Sequence, residues 1–250
     1  MDRYAIPSYG RPEGLRAKTG AFLLRAGVSP GEVDVYVAGA SQADLYRDVI
    51  SDLGFNLCLT TKGIREARNT IHSSYRHGTR LTVLDDDLGG VVRKFTDKKL
   101  VEVTDFPALC AKAFRETRAR KARMWGVYPT PNALFMNHRT ETGLRLCVGA
   151  LYGIVVTSPA FRLECETKED YELSLLHYGR DGLVVRLDNV AAKAKIYDGE
   201  GGCQEGGMSA RQEMDYRSIA LLMQRFPDLV SHKKSKSPYP QIRLARKGPR

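Results

Sequence analysis

Residues 81–88 read Leu-Thr-Val-Leu-Asp-Asp-Asp-Leu, an apolar strand running directly into three acidic side chains. Adjacent carboxylates repel one another, and hard divalent ions take oxygen ligands; Mg²⁺ typically uses one or two carboxylates plus phosphate oxygens. On an extended backbone Asp85 and Asp87 share one side and Asp86 faces the other. Asp85-x-Asp87 therefore has the spacing of a metal–diphosphate site. For the triplet alone, a solvated acidic turn is the competing reading. A second acidic group, Lys168-Glu169-Asp170-Tyr171-Glu172, stands where a helix should start, and acids there also suit the helix dipole.

The elements that must position these groups alternate between strand and helix. Tyr4–Pro7 reads as an entry strand, broken by the loop Ser8-Tyr9-Gly10-Arg11-Pro12. Leu15, Phe22, Leu23 and Ala26 recur at helical spacing, and so do Leu45, Val49, Ile50 and Leu53. Between and after them lie the strand-like runs Val33–Ala38 and Phe55–Leu59, followed by a helix marked by Ile64, Ala67, Ile71 and Tyr75. This alternation predicts an α/β fold with a Rossmann-like, mostly parallel central sheet flanked by helices. Ligands of such sheets sit outside the carboxyl ends of the strands, where Pro7-Ser8-Tyr9, Ala38, Thr60-Thr61 and the Asp triplet all fall.

The second half is less regular. A helix is expected from Phe106 to Arg123, strands at Tyr152–Val156 and Gly182–Leu187, and helices at Glu169–Tyr178 and Arg211–Phe226. Gly199–Gly207 holds five glycines in nine residues and reads as a lid or a plain surface loop. One domain is expected over residues 1–230, with a nucleotide-binding half at 1–90 and an acceptor-side half at 91–230. A basic tail follows at 231–250.

Composition limits the function classes. The net charge is +10, and residues 231–250 carry seven cations and no acid. A phosphate-rich partner, nucleic acid above all, fits that balance; a solvated tail is the alternative. Tyr239, Ile242 and Leu244 interleave with the tail's charges and predict that part of it packs on the body. The five cysteines are scattered without a Cys-x-x-Cys pair, which argues against a disulfide framework or zinc site and for reduced thiols in a cytoplasmic setting. No apolar run is long enough to span a bilayer, and Met1-Asp2-Arg3-Tyr4 lacks the shape of a signal peptide.

Four motifs in chain order resemble those of the GT-A nucleotide-sugar glycosyltransferases, over about residues 3–190. These are Ile6-Pro7-Ser8-Tyr9-Gly10-Arg11-Pro12, Gly63-Ile64-Arg65-Glu66-Ala67-Arg68-Asn69, the Asp85–Asp87 triplet, and Lys168–Glu172. More narrowly the chain looks like the TET-associated glycosyltransferases of phages, which act on 5-hydroxymethylpyrimidines in DNA. The resemblance implies Mn²⁺ or Mg²⁺ held by Asp87 and Asp85. Pro7, Ser8, Tyr9, Arg11, Arg68, Asn69, Asp85 and Asp86 would line the nucleotide-sugar site. Arg68 has a fork that suits phosphate oxygens, with an exposed helix charge as its alternative. Asp170 would be the base of an inverting transfer.

His232 is placed to complete a metal shell as such enzymes often do, or else is a plain tail histidine; His72 and His77 read as helix-surface residues. Trp125 and Tyr128 could stack on a ligand, though core aromatics are commoner. The implied reaction moves a hexose from a UDP-sugar to 5-hydroxymethylcytosine in DNA, with Lys233, Lys234, Lys236, Arg243 and Arg246 on phosphates. A protein or glycan acceptor, and a non-catalytic DNA-binding module, are the rivals. A nucleotidyltransferase would want a glycine-rich, lysine-bearing loop after the first strand, which Ser8–Arg11 lacks.

Overall fold

A computed structural model describes residues 2–194, 207–235 and 237–245. Strands β1 (Asp2–Pro7), β2 (Val33–Ala38), β3 (Asn56–Thr60) and β4 (Arg80–Leu84) pair in the order β3-β2-β1-β4, all parallel. The sheet continues through β9 (Leu151–Val155), β7 (Met124–Tyr128), β10 (Val184–Ala192), β5 (Val91–Thr96) and β6 (Lys99–Glu102), with β8 (Thr140–Gly143) on β10. β7 and β10 share the direction of β1–β4, as does β6, whereas β9, β5 and β8 run against it. The sheet is thus mostly parallel by strand direction.

Helices cover both faces. Pro12–Leu15 (α1), a π-helical turn at Arg16–Gly20 and Ala21–Arg25 (α2) follow one another without a break, and α3 (Gly39–Leu53) and α5 (Phe106–Ala119) lie on the same side. Their Leu15, Phe22, Tyr46, Ile50 and Phe114 join Val35, Val37 and Trp125 in one core. Tyr36, one residue out of phase with Val35 and Val37, belongs to the opposite core with Ile71 of α4 (Ile64–Ser73) and Leu173 of α6 (Glu169–Asp181). A parallel strand covered on both faces needs an apolar run, which explains why β2 reads Val-Asp-Val-Tyr-Val-Ala.

A third core joins Leu175 of α6, and Ile219 and Leu222 of α7 (Gly207–Arg225), to Val230 and Ile242. The latter two belong to a hairpin of β11 (Val230–Lys233) and β12 (Gln241–Leu244). The tail expected from residue 231 therefore starts inside a strand, and its apolar residues anchor it as their interleaving predicts. β5, β6 and β8 correspond to no expected strand. β6 and β8, four residues each, have too few residues for a two-residue period to stand out. His72, expected on a helix surface, is buried, while His77 is exposed; Trp125 is a core residue. Residues 199–206 of the glycine-rich segment, Lys236 and Arg246 lie outside the described residues. No helix among the described residues is long and apolar enough to cross a membrane.

Candidate functional site

The carboxyl ends of β1–β4 form one rim of the sheet. Because β9 runs the other way, its amino end and the preceding Gly149-Ala150 lie on the same rim, and the Asp85 amide donates to the Ala150 carbonyl at 3.1 Å. Gly149 receives the start of α6: its amide donates to Asp170 Oδ2 at 3.2 Å. Chain segments far apart in sequence thus bring the acidic triplet and the Lys168–Glu172 motif together.

Arg68 makes that join rigid. It is buried, and its guanidinium donates to Asp85 Oδ1 (3.2 Å), the Gly149 carbonyl (3.2 Å), the Tyr152 hydroxyl (3.1 Å) and Glu169 Oε1 (3.1 Å). Burial opposes its charge, but Tyr152, Glu169 and Asp85 outweigh that and hold it firmly cationic. Gly149 is needed here, since a Cβ would come within 2.7 Å of Arg68 Nη2. Arg68 is neither the exposed helix charge nor the open phosphate fork that its sequence position suggests. Asn69 is similarly engaged, donating to the Leu163 carbonyl at 3.0 Å and accepting from its amide at 2.7 Å. Both hold the acceptor-side segments to α4.

Asp86 turns inward, as its phase relative to Asp85 and Asp87 requires. It is buried, accepts from Ser8 Oγ and, at 2.6 Å, from Arg11 Nη2, and burial pushes its carboxyl up to about 6. Tyr46 completes the clamp, its hydroxyl 2.7 Å from Ser8 Oγ and accepting from the Arg11 amide at 2.8 Å. Ser8, Arg11 and Asp86 therefore set the loop after β1. Pro7 is buried at the end of β1, and half-buried Tyr9 has the Lys62 ammonium 4.9 Å from its ring centroid. Thr19 staples the acidic turn, donating to the Asp85 carbonyl at 2.7 Å and accepting from the Leu88 amide at 2.9 Å. Nothing in the sequence marks Thr19, Tyr46 or Tyr152, whose partners lie 66, 38 and 84 residues away.

Asp87 is half-buried, and its carboxylate has no hydrogen-bond or ion-pair partner among the described residues. Asp85 beside it is half-exposed; burial and then the Asp87 charge raise its carboxyl while Arg68 pulls it down. Two adjacent hard-oxygen groups, one wholly free, suit a divalent ion that completes its shell with phosphate and water. Among the described residues no three His, Cys, Asp or Glu side chains are gathered into a ligand cluster, and His232 stands exposed on β11 opposite Ile242. The expected histidine ligand is thus not assembled with Asp85 and Asp87.

Asp170 sits in the first turn of α6 with Glu169 and Glu172. Its Oδ1 accepts from the Tyr171 amide at 2.8 Å, and burial, followed by the Glu169 charge, pushes it up to about 6. Glu172 instead ties α6 to its neighbours. Its Oε2 accepts from the Glu164 and Cys165 amides, and its Oε1 pairs with Arg225 of α7. Of the expected phosphate-binding cations, Lys233, Lys234 and Arg243 are exposed on or beside the hairpin.

Solved structures share this arrangement of elements. Glucosyl-3-phosphoglycerate synthase from M. tuberculosis, in complex with Mn²⁺, UDP and glucosyl-3-phosphoglycerate, matches 98% of this chain and 87% of its own at 9% identity, with a TM-score of 0.53. The 1–349 fragment of S. aureus TarS matches 89% of the chain at 12% identity and a TM-score of 0.54, and its UDP complex at 11% and 0.53. This protein has a GT-A fold. It spans 65% of that TarS fragment and 39% of a longer TarS chain. No family model and no curated protein matches the sequence.

Proposed function

We propose that the protein is a metal-dependent, inverting glycosyltransferase that moves a hexose from a UDP-sugar to the hydroxyl of 5-hydroxymethylcytosine, or a related hydroxymethylpyrimidine, in DNA. The carrying observation is the Asp85–Arg68–Glu169 chain, which fixes Asp85, next to an Asp87 with no partner among the described residues, close to a second carboxylate, Asp170, that burial raises to about 6. The UDP and Mn²⁺ complexes of proteins with the same fold support the choice of donor and ion.

In this reading Asp85 and Asp87 hold Mn²⁺ or Mg²⁺, which when bound neutralises the departing diphosphate. Pro7 and Tyr9 border the nucleotide, while Ser8, Arg11, Asp86 and Asn69 shape the walls from behind. Arg68 is a positioning residue: it fixes Asp85 against Glu169 and screens their repulsion. Asp170 takes the acceptor hydroxyl proton as that oxygen attacks the anomeric carbon and the diphosphate departs. Its two oxygens each keep a free lone pair after accepting the Gly149 and Tyr171 amides. An ordinary carboxylate is a weak base at neutral pH, and a value raised towards 6 is better matched to that proton.

The DNA acceptor is supported by the net charge of +10 and the cations of the hairpin. The cytoplasm of an infected bacterium is where such an acceptor would be met. The test is mass spectrometry of nucleosides released from hydroxymethylated DNA after incubation with mixed UDP-sugars and Mn²⁺. A hexose added to the modified nucleoside supports the reading; sugar transferred to protein or glycan, with the DNA untouched, overturns its acceptor.

A further inference from the structure

A shallow cavity of about 410 Å³, wide open to solvent, lies between β8, β10, the start of α6 and β12, within the size range of small-molecule sites. Its apolar lining comes from Leu144, Leu146, Ile242, Leu244 and Ala245. Its polar lining consists of two ion pairs and a phenol: Arg186 grips Asp188 through two hydrogen bonds (2.6 and 3.1 Å), Arg145 meets Glu141 at 3.2 Å, and Tyr171 stands beside them.

Three features connect the cavity to the chemistry. Leu146 lies three residues before Gly149, whose amide holds Asp170, so the two backbone positions are at most about 11 Å apart. Tyr171 lines the cavity, and its amide donates to Asp170 Oδ1. The register carries Arg186 through Gly126 and Tyr152 to Val83, so Asp188, two residues on in the middle of β10, lies at the level of Asp85 across the sheet.

The charges also limit what can bind. Both guanidiniums are neutralised by carboxylates within the cavity, so a phosphate would find no uncompensated cation there. A flat, neutral ring with donor and acceptor edges suits a lining that mixes apolar side chains with paired polar groups. β12 supplies the rest: Ile242 and Leu244, on the face of the strand that packs on the third core, line the cavity, and Arg243, one residue out of phase, is exposed. With exposed Lys233 and Lys234 on or beside β11, one hairpin can hold a backbone on its outer face while its inner face walls a ring.

We infer that this cavity receives the acceptor base itself, a hydroxymethylated pyrimidine swung out of the helix, with its hydroxymethyl group directed towards Asp170. The inference rests on the DNA acceptor proposed above. Chemistry on a base requires such extrusion unless the target atom is reached within a groove.

The test uses a duplex with 5-hydroxymethylcytosine beside 2-aminopurine, which brightens when its neighbour unstacks, together with a sugar-transfer assay on the same duplex. The wild-type protein should raise the fluorescence several-fold. Ala245→Trp and Leu146→Trp, which fill the cavity from two sides, should abolish most of that rise and increase KM for DNA at least tenfold. Calorimetry with UDP and Mn²⁺ should give both variants the wild-type affinity, which checks that they are folded. Sugar transfer by the wild-type protein without the fluorescence rise would overturn the inference and leave the DNA acceptor standing, as would tryptophan variants that brighten and turn over as wild type does. Absence of any transfer to hydroxymethylated DNA would remove both.

Discussion

At the scale of single residues, three carboxylates with the same chemistry are given three different roles by their surroundings. Asp87 has no partner among the described residues, Asp85 is shared with Arg68, and Asp86 is locked under the loop after β1. Asp87→Ala should therefore abolish donor binding dependent on Mn²⁺, read by calorimetry, without lowering the melting temperature. Asp170→Asn should retain donor binding and lose about 10²–10⁴-fold in turnover, the usual contribution of a positioned base. With burial pushing Asp170 up to about 6, its proposed role as base requires kcat/KM to fall as pH drops below that value, when a protonated carboxyl can no longer take up a proton. The same shift has the opposite sign for stability. A carboxyl raised above its ordinary 3.8 favours the fold below about 4, and that contribution is lost as pH rises through 6.

At the scale of elements, α4, β4, β9 and α6 meet at the Arg68 guanidinium. Removing one partner of a buried ionic network strands the others, at a typical cost of about 3–5 kcal/mol. Arg68→Met should be destabilised by that order in urea unfolding, with Glu169 and Asp85 left facing one another. β9 and β7 pack closely because Gly153 leaves room for the Trp125 indole, which a Cβ there would overlap. Gly153→Ala should accordingly displace the indole and show a lowered melting temperature with altered tryptophan fluorescence. Ile242→Ala, which empties a buried position linking the hairpin to α7, should cost about 2–5 kcal/mol.

For the whole molecule, positive charge concentrates on and beyond a hairpin that the third core ties to α7. Replacing Lys233, Lys234 and Arg243 together with Gln should weaken binding to any DNA sequence. It should also reduce the slope of log affinity against log salt by about 3, close to one for each phosphate no longer neutralised. A slope that does not change would place the phosphates elsewhere.

The sequence by itself determined the alternation of strands and helices, the strand ends at which a ligand could bind, and the strand-to-acid junction at Leu84–Asp85. These are local properties: apolar period, breaker residues and the repulsion of adjacent like charges. It also determined that part of the tail would pack, because Ile242 and Leu244 alternate with polar neighbours. The identity of the groups left free depended on contacts far apart in sequence. Arg68 reads as a phosphate fork or a helix-surface charge until Glu169, 101 residues away, and Tyr152 close around it. Ser8 and Asp86 read as ligand contacts until they bond to each other across 78 residues. His232 has a position in the chain suited to a metal shell, but β11 places it opposite Ile242. Burial turned Arg68, Ser8 and Asp86 inward because a desolvated charge or hydroxyl must find a partner, and only the tertiary structure decides which partner is in reach.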